Sequence, residues 1–149
     1  LPYAFAWFFT AGPGGKEAIE IYREHYKPSH RHEKPNPAIC VWALAAETHE
    51  EAQYHFSSRA RWQLYRDRGL HLSFETPEVS MEQDYNEYEQ AKIEELRQKT
   101  FVGTGEEVAE RINELSKHLG VEEVAIVTWA HSDEARRNSY AEIAKAFAM

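Results

Sequence analysis

Two patterns of apolar and polar residues alternate along this chain. Short runs that are apolar at nearly every position are typical of strands buried on both faces, as parallel sheets require. These predicted strands cover residues 3–9, 38–46, 101–102 and 124–129. Segments with apolar residues at helical spacing lie between them and after the last one. These predicted helices cover residues 16–27, 48–67, 80–99, 104–119 and the segment after Ser132.

Capping residues set the predicted helix starts. Thr48, Ser80 and Thr104 each precede a Glu or Gln three positions later, which is the capping-box pattern. Ser132 is the predicted cap of the last helix, and the Ala-Gly-Pro-Gly-Gly run of residues 11–15 is predicted to end the first strand.

The order of elements, β-α-β-α-α-β-α-β-α, predicts an α/β fold with a parallel sheet and right-handed crossovers. Four βα units make half of a TIM-type (β/α)8 barrel, since a complete barrel needs about 250 residues. Residues 67–99, between the second and third strands, are too long for a simple connection and are predicted to be a helical insertion. We therefore expect residues 1–149 to form a single half-barrel domain.

Composition narrows the class of protein. A hydrophobic fraction of 42% in 149 residues supports an ordered core, and a formal charge of -8 argues against binding nucleic acid or anionic membranes. No apolar run reaches the ~18 residues of a membrane span, and no basic leader precedes Leu1, so we expect a cytoplasmic protein. A first residue other than Met suggests a piece of something longer. Cys40 is the only cysteine in this sequence, so no internal disulfide can form. We predict that it is a buried small hydrophobic residue and not a catalytic thiol.

Four segments of the chain resemble parts of one known protein family. They are LPYAFA at 1–6 with AIEIYR at 18–23, residues 41–51, VGTGEEVAER at 102–111, and VTWAHSDEAR at 127–136 with Ser139 and Tyr140. In this order they resemble the carboxyl-terminal half of the bacterial luciferase-like family of flavin-dependent monooxygenases. The first is similar to the family's mid-barrel strand and helix, the second to a later strand and helix, and the last to the closing strand and helix. The third resembles a turn usually written V-G-[TS]-P-E-x-V, with Gly105 in place of the proline.

The resemblance implies a barrel that holds reduced FMN, in preference to a deazaflavin, and uses oxygen on a small organic substrate with a flavin reductase as partner. Nothing here corresponds to the family's amino-terminal half, so this chain would carry part of the site, and its catalytic residues stay unassigned. A half-barrel exposes two sheet edges and an apolar face. We therefore expect pairing with the missing half or with another copy. The alternative is a non-catalytic flavin-binding or assembly-only half-barrel.

Four residues are the predicted cofactor contacts. Gly103 and Thr104 open a helix directly after a strand, where free N–H groups and the helix dipole suit a phosphate. The competing interpretation is a capped helix that binds nothing, because Glu107 would satisfy those N–H groups and repel phosphate. Trp129 and His131, two apart at the end of the last strand, are predicted to contact flavin or substrate. Their alternative is a core tryptophan and a solvent histidine.

Three other features have simpler interpretations. Phe5, Trp7 and Phe9 share one strand parity, so they would either wall a flavin pocket or form ordinary core, and we expect core. The histidines at 25, 30 and 32 supply too few fixed ligands for zinc, so no metal is expected. The acidic helix at 81–98 is predicted to be a solvated face that also acts as a mobile lid.

Overall fold

The computed structural model describes residues 1–10 and 12–148. Ala11, in the predicted break after the first strand, and Met149, the last residue of the predicted domain, lie outside the described residues. The elements are β1 (Tyr3–Phe5), α1 (Trp7–Thr10), α2 (Gly15–Glu24), β2 (Pro37–Ala46), α3 (His49–Asp67), α4 (Pro77–Met81), α5 (Glu87–Lys99), β3 (Phe101–Thr104), α6 (Gly105–Leu119), β4 (Glu123–Val127) and α7 (Asp133–Ala146).

All strand pairing among the described residues is parallel, and β2 takes part in every pair. β1 pairs with residues 37–39 of β2, β4 pairs with residues 38–42, and β3 pairs with residues 43–46. Nine of the ten residues of β2 are buried, which agrees with its unbroken apolar sequence. The prediction of an α/β fold with a parallel sheet is confirmed.

The contacts group into two compact units. The first contains residues 1–42 and 111–127, and its buried residues include Ile19, Ile39 and Trp42. Within this unit, the Arg23 guanidinium donates to Leu119 O (3.1 Å) and Gly120 O (2.6 Å) and so caps the carboxyl end of α6.

The second unit contains residues 43–110 and 128–149. Its core comes from the carboxyl half of β2, β3 and one face each of α3, the start of α6, and α7. The buried apolar side chains include Leu44, Phe56, Val102, Val108 and Ile143.

Residues 6–9 correct the predicted first strand. β1 ends at Phe5, and Trp7–Thr10 forms one helical turn, so Trp7 and Phe9 do not continue the strand parity of Phe5. β1 has β2 as its sole partner among the described strands. The Trp7 ring packs instead against Gly15, where a Cβ would come within 2.8 Å of it. Phe9 is 70% exposed, so this aromatic run is neither wholly buried nor wholly strand.

The predicted helix start at Ser80 is also wrong. α4 begins at Pro77, capped by Thr76, and the Ser80 hydroxyl donates back to Thr76 O at 2.8 Å. α5 then begins at Glu87 with Asn86 as its cap and Glu89 completing the box. Proline at the first helical position and an Asn-x-x-Glu box are the start signals used here.

The other predicted caps are confirmed. The Thr48 hydroxyl accepts Glu51 N–H, the Thr104 hydroxyl accepts Glu107 N–H, and the Ser132 hydroxyl accepts Ala135 N–H. Across residues 1–10 and 12–148, no helix combines the length and the apolar character needed to cross a membrane.

Candidate functional site

Two buried hydroxyls complete the hydrogen bonding of β2 where β4 stops. β4 pairs with β2 as far as Val127. The Thr128 hydroxyl then donates to Ala43 O at 2.8 Å, and the Ser139 hydroxyl on α7 accepts Ala45 N–H at 2.9 Å. Side chains thus take the place of strand backbone, and the chain is free to leave the sheet. The residues after Thr128 are thereby held at the carboxyl end of a parallel strand, the edge where α/β proteins bind ligands.

A cavity of about 450 Å³ opens beside those residues. We call it the Trp129 pocket, and its lining residues are Trp62, Phe74, Thr128, Trp129, Ala130, His131 and Arg136. The volume lies within the range of about 300–1,000 Å³ of small-molecule sites. The structure therefore brings the predicted contacts Trp129 and His131 to one pocket.

The aromatic lining is an interlocked set of rings. Trp62 meets Trp129 edge-to-face with centroids 5.9 Å apart, and Phe74 lies 6.3 Å from Trp62. Trp62 comes from α3 and Phe74 from the irregular segment after it. Sequence reasoning missed both residues. Their docking against Trp129 is a long-range contact, although a tryptophan on an otherwise polar helix face was a usable signal.

Guanidinium groups lie behind and beside these rings. Arg59 is 3% exposed and lies over Trp129 at 4.8 Å, and Arg66 lies over Trp62 at 5.0 Å. Burial, and secondarily the nearby Arg66 charge, lowers the pKa of Arg59 to about 10, so its side chain stays protonated at neutral pH. The two tryptophan rings of the pocket thus each have a guanidinium group packed against them.

The Gly103-Thr104 turn contains a carboxylate of the chain itself. Glu107 folds back to accept Thr104 N–H at 2.8 Å, and its Oε2 lies 3.0 Å from His49 Nδ1. A Cβ on Gly103 would overlap this carboxylate and displace it from Thr104 N–H. In this conformation the position suggested for a phosphate holds an anion already.

A polar chain extends from that carboxylate along α3, and sequence reasoning did not find it. Gln53 Nε2 lies 3.4 Å from His49 Nε2, and Arg97 Nε donates to Gln53 Oε1 at 2.8 Å. His49 and Gln53 are one helical turn apart, which puts both on one face of α3. The spacing was visible, but the partners come from α5 and α6.

The helical insertion is held by a partly buried ion pair between its first turn and α5. The Arg68 guanidinium donates to Glu89 Oε1 at 2.7 Å, and Asn86 N–H donates to Glu89 Oε2 at 2.9 Å. The Asn86 backbone bond, then the Arg68 bond and charge, lowers the pKa of Glu89 against the opposing effect of burial. The remaining acidic residues of α5 lie on an exposed face, and a lid role for this segment stays a prediction.

Other candidate groups have structural roles. No group of three or more His, Cys, Asp or Glu side chains able to hold a metal occurs within the described part of the chain. His25 Nδ1 lies 3.1 Å from Ile21 O on its own helix. Cys40 is half-buried, less than predicted, and burial raises the pKa of its thiol.

No protein-family model matches the chain. The chain is 33% identical over 147 residues to YwcH of Bacillus subtilis, described as an uncharacterized protein, covering 98% of the chain and 44% of YwcH. It is 26% identical over 140 residues to an Escherichia coli protein named luciferase-like monooxygenase, covering 94% of the chain and 42% of that protein. The chain is a distant homologue of proteins with that name.

A solved structure shows the same fold. The crystal structure of apo-MsnO8 superposes with a TM-score of 0.84 and 25% identity, covering 99% of this chain and 45% of that one. The chain spans less than half the length of the curated relatives described above. An activity of the complete relatives is therefore only a proposal for this chain.

Proposed function

We propose that this chain supplies one half of a flavin-dependent monooxygenase of the luciferase-like class, with its four βα units forming the carboxyl-terminal half of a (β/α)8 barrel. The complete protein would use reduced FMN and oxygen on a small organic substrate. Similarity to a luciferase-like monooxygenase over 94% of the chain supports the class. Coverage of 45% of apo-MsnO8 supports the half-barrel.

The observation that carries the proposal is the Trp129 pocket. Its aromatic lining and its volume of about 450 Å³ fit a flat aromatic ring. It lies directly after β4, at the residues that the resemblance marks as cofactor contacts. The donor set also fits, since His131 and Arg136 add polar groups at the rim of an otherwise apolar cavity.

The phosphate of FMN fits the Gly103-Thr104 turn less well. Thr104 N–H already donates to Glu107, and this carboxylate would repel a phosphate. For Gly103 and Thr104 to contact the cofactor, Glu107 would first have to rotate away. Arg136, which lines the Trp129 pocket, is the alternative cation, and it pairs with the exposed carboxylate of Asp133 at 2.9 Å.

The contribution of this chain would be binding and exclusion of water. When bound, reduced FMN supplies the electrons for oxygen chemistry, which no side chain in the pocket provides. Trp129 and Trp62 would hold the ring by stacking contacts, and Phe74 would cover the cavity against solvent. Thr128, anchored to Ala43 O, would keep Trp129 in place.

Titration of the 149-residue chain with FMN tests the proposal. We expect FMN to quench tryptophan fluorescence and to bind with an affinity that Trp129→Ala lowers at least tenfold, because the substitution removes the main ring contact. Trp7→Phe is the matched control, since Trp7 lies in the first unit and not in the pocket.

Two results would contradict this reasoning. One is wild-type protein that is folded by circular dichroism yet does not bind FMN. The other is FMN binding that Trp129→Ala and Trp7→Phe affect equally. The reaction itself is tested separately, by measuring oxygen uptake with NADH, a flavin reductase and FMN on the full-length protein, because the proposed reaction belongs to the complete barrel.

A further inference from the structure

A second cavity lies between α3 and the helical insertion. Its volume is about 410 Å³, and the described residues that line it are all different from those of the Trp129 pocket. We call it the insertion pocket, and the apolar part of its lining consists of Phe56, Ala60, Met81 and Ile93. The volume lies within the range of about 300–1,000 Å³ of small-molecule sites.

Hydrogen bonds hold α5 against the α3 side of the cavity near both of its ends. Near the start of α5, the Arg68 guanidinium donates to Glu89 Oε1 at 2.7 Å, and near its end Arg97 Nε donates to Gln53 Oε1 at 2.8 Å. Between Gln53 and Arg68 along α3, Ala60 lines the cavity with a side chain of one methyl group. The insertion pocket is therefore preformed, and a ligand would need little ordering of the protein in order to bind.

The hydroxyl groups of the lining have already committed their protons. The Ser80 hydroxyl donates to Thr76 O at 2.8 Å, and the Tyr85 hydroxyl donates to Ser80 O at 2.8 Å. The Ser57 hydroxyl donates to Tyr54 O at 2.6 Å. Each hydroxyl has one proton and two lone pairs, so in this arrangement these three groups can offer a ligand only acceptors.

Tyr85 keeps its proton, and Gln90 adds another acceptor. Burial raises the pKa of Tyr85 to about 12, so the phenol stays neutral at neutral pH. Gln90 Nε2 donates to Tyr85 O at 2.8 Å, and within the described part of the chain Gln90 Oε1 accepts no hydrogen bond. This side of the lining therefore favours a ligand that has N–H or O–H donors.

The charged side chains of the described lining compensate each other. They are Arg97 and Glu94, which form an ion pair. The charges that act on the Tyr85 hydroxyl from outside the lining, Arg61 and Glu89, are also opposite in sign. A charged ligand would lose its hydration here and would find only counter-charges that are already paired, which is costly. The insertion pocket therefore favours a neutral ligand.

We propose that the insertion pocket is a second ligand site, which binds a neutral organic molecule of the carboxamide class on an apolar ring or chain. The N–H groups of the ligand would donate to oxygens such as those of Ser57 and Tyr85, and its carbonyl would accept from Arg97. The apolar body would lie against Phe56 and Ile93. The inference goes beyond the proposed function and does not depend on it, because it concerns a different set of lining residues.

Four probes of nearly the same shape test the inference on the 149-residue chain. Benzamide is neutral and has N–H donors, acetophenone is neutral without a donor, benzoate is an anion, and benzamidine is a cation. We expect benzamide to bind on the order of tenfold more tightly than each of the other three. Binding is followed through the ¹³C-methyl signal of Met81, which lines the pocket and is assigned with Met81→Leu.

A matched pair of double variants tests the role of the lining oxygens. Ser57→Ala with Tyr85→Phe removes two of these oxygens and should lower the preference for benzamide over acetophenone severalfold. Ser58→Ala with Tyr88→Phe makes the same chemical changes at residues outside the lining and should leave the preference unchanged. The comparison of the four probes on the unsubstituted chain does not require either variant to fold.

The inference and the proposed function fail separately. Benzamide that leaves the Met81 signal unmoved, affinity for another probe that equals or exceeds that for benzamide, or equal effects of the two double variants would overturn the inference. Trp129→Ala should leave benzamide binding unchanged, and loss of binding in that variant would contradict a separate site. Absence of FMN binding while benzamide still binds would overturn the proposed function alone.

Discussion

Replacing Ser139 with alanine tests the way that β2 is completed by side chains. The Ser139 hydroxyl accepts Ala45 N–H at 2.9 Å, and Ser139 and Ala45 are 0% and 2% exposed. Alanine removes the acceptor and little else, since the two side chains differ by one oxygen. The amide of Ala45 would then be buried without its partner.

The expected cost follows from that unsatisfied amide. Leaving a buried donor unpaired costs about 1–3 kcal/mol, and the better helix propensity of alanine returns about 0.5 kcal/mol. We therefore expect Ser139→Ala to lower the free energy of unfolding by about 0.5–2.5 kcal/mol. For a chain of this length that corresponds to a decrease in Tm of about 1–10 °C.

Ser58→Ala is the matched control. Ser58 is also helical and is 1% exposed, but its hydroxyl has no hydrogen-bond partner among the described residues. Removing it relieves a buried unpaired group, so the free energy of unfolding should stay constant or rise by up to about 1 kcal/mol. The two variants share the same chemical change and the same gain in helix propensity.

Urea unfolding followed by circular dichroism measures both variants, with thermal scans for Tm. The m-values should match that of the wild-type chain, which shows that the denatured states are comparable. Equal effects of the two substitutions, or a Ser139→Ala variant as stable as wild type, would refute the assignment of this hydroxyl as a replacement for strand backbone.

The other predictions concern charge and close contact. Gly103→Ala should lower the free energy of unfolding by about 1–2 kcal/mol, because the new Cβ displaces the Glu107 carboxylate from its capping position. The loss should be smaller when Glu107 is already alanine. Thermal unfolding of the wild-type chain, the two single variants and the double variant checks this. In the folded chain the pKa of Glu89 lies below its ordinary value of 4.5, mainly through the hydrogen bond from Asn86 N–H and then through Arg68. Ionised Glu89 therefore stabilises the fold above pH 4.5, and this stabilisation is lost as pH falls through the folded pKa. The stability difference between wild type and Glu89→Gln should therefore shrink as pH falls below about 4.5, as urea midpoints measured across pH would show; a constant difference would contradict it.

Much of the fold follows from local signals that agree with their surroundings. β2 is apolar at every interior position and is buried at every residue except Cys40, and the Thr104 and Glu107 spacing produces the capping box that it predicts. The strand prediction for residues 6–9 is wrong because it rests on the general preference of aromatic residues for strands. The Trp7 ring packs against Gly15 instead, and this contact depends on tertiary packing and not on local propensity.

The candidate site was predictable only in part for the same reason. Trp129 and His131 were found because they follow a strand, and position after a strand is a local property. Trp62 and Phe74 line the same pocket from α3 and the segment after it, more than fifty residues earlier, and Arg59 of α3 lies over the Trp129 ring. The helical spacing of Arg59, Trp62 and Arg66 indicates a shared face, but it does not indicate what that face meets.

The hydroxyl bonds at the end of β4 separate two kinds of residue along one short segment. Thr128 carries the fold through Ala43 O, while Trp129, Ala130 and His131 line the cavity. Mutations at the latter three positions change the shape and polarity of the cavity while the bonds that support β2 remain. Ligand preference can therefore change by substitution at these three positions without loss of the hydrogen bond that Thr128 contributes to the fold.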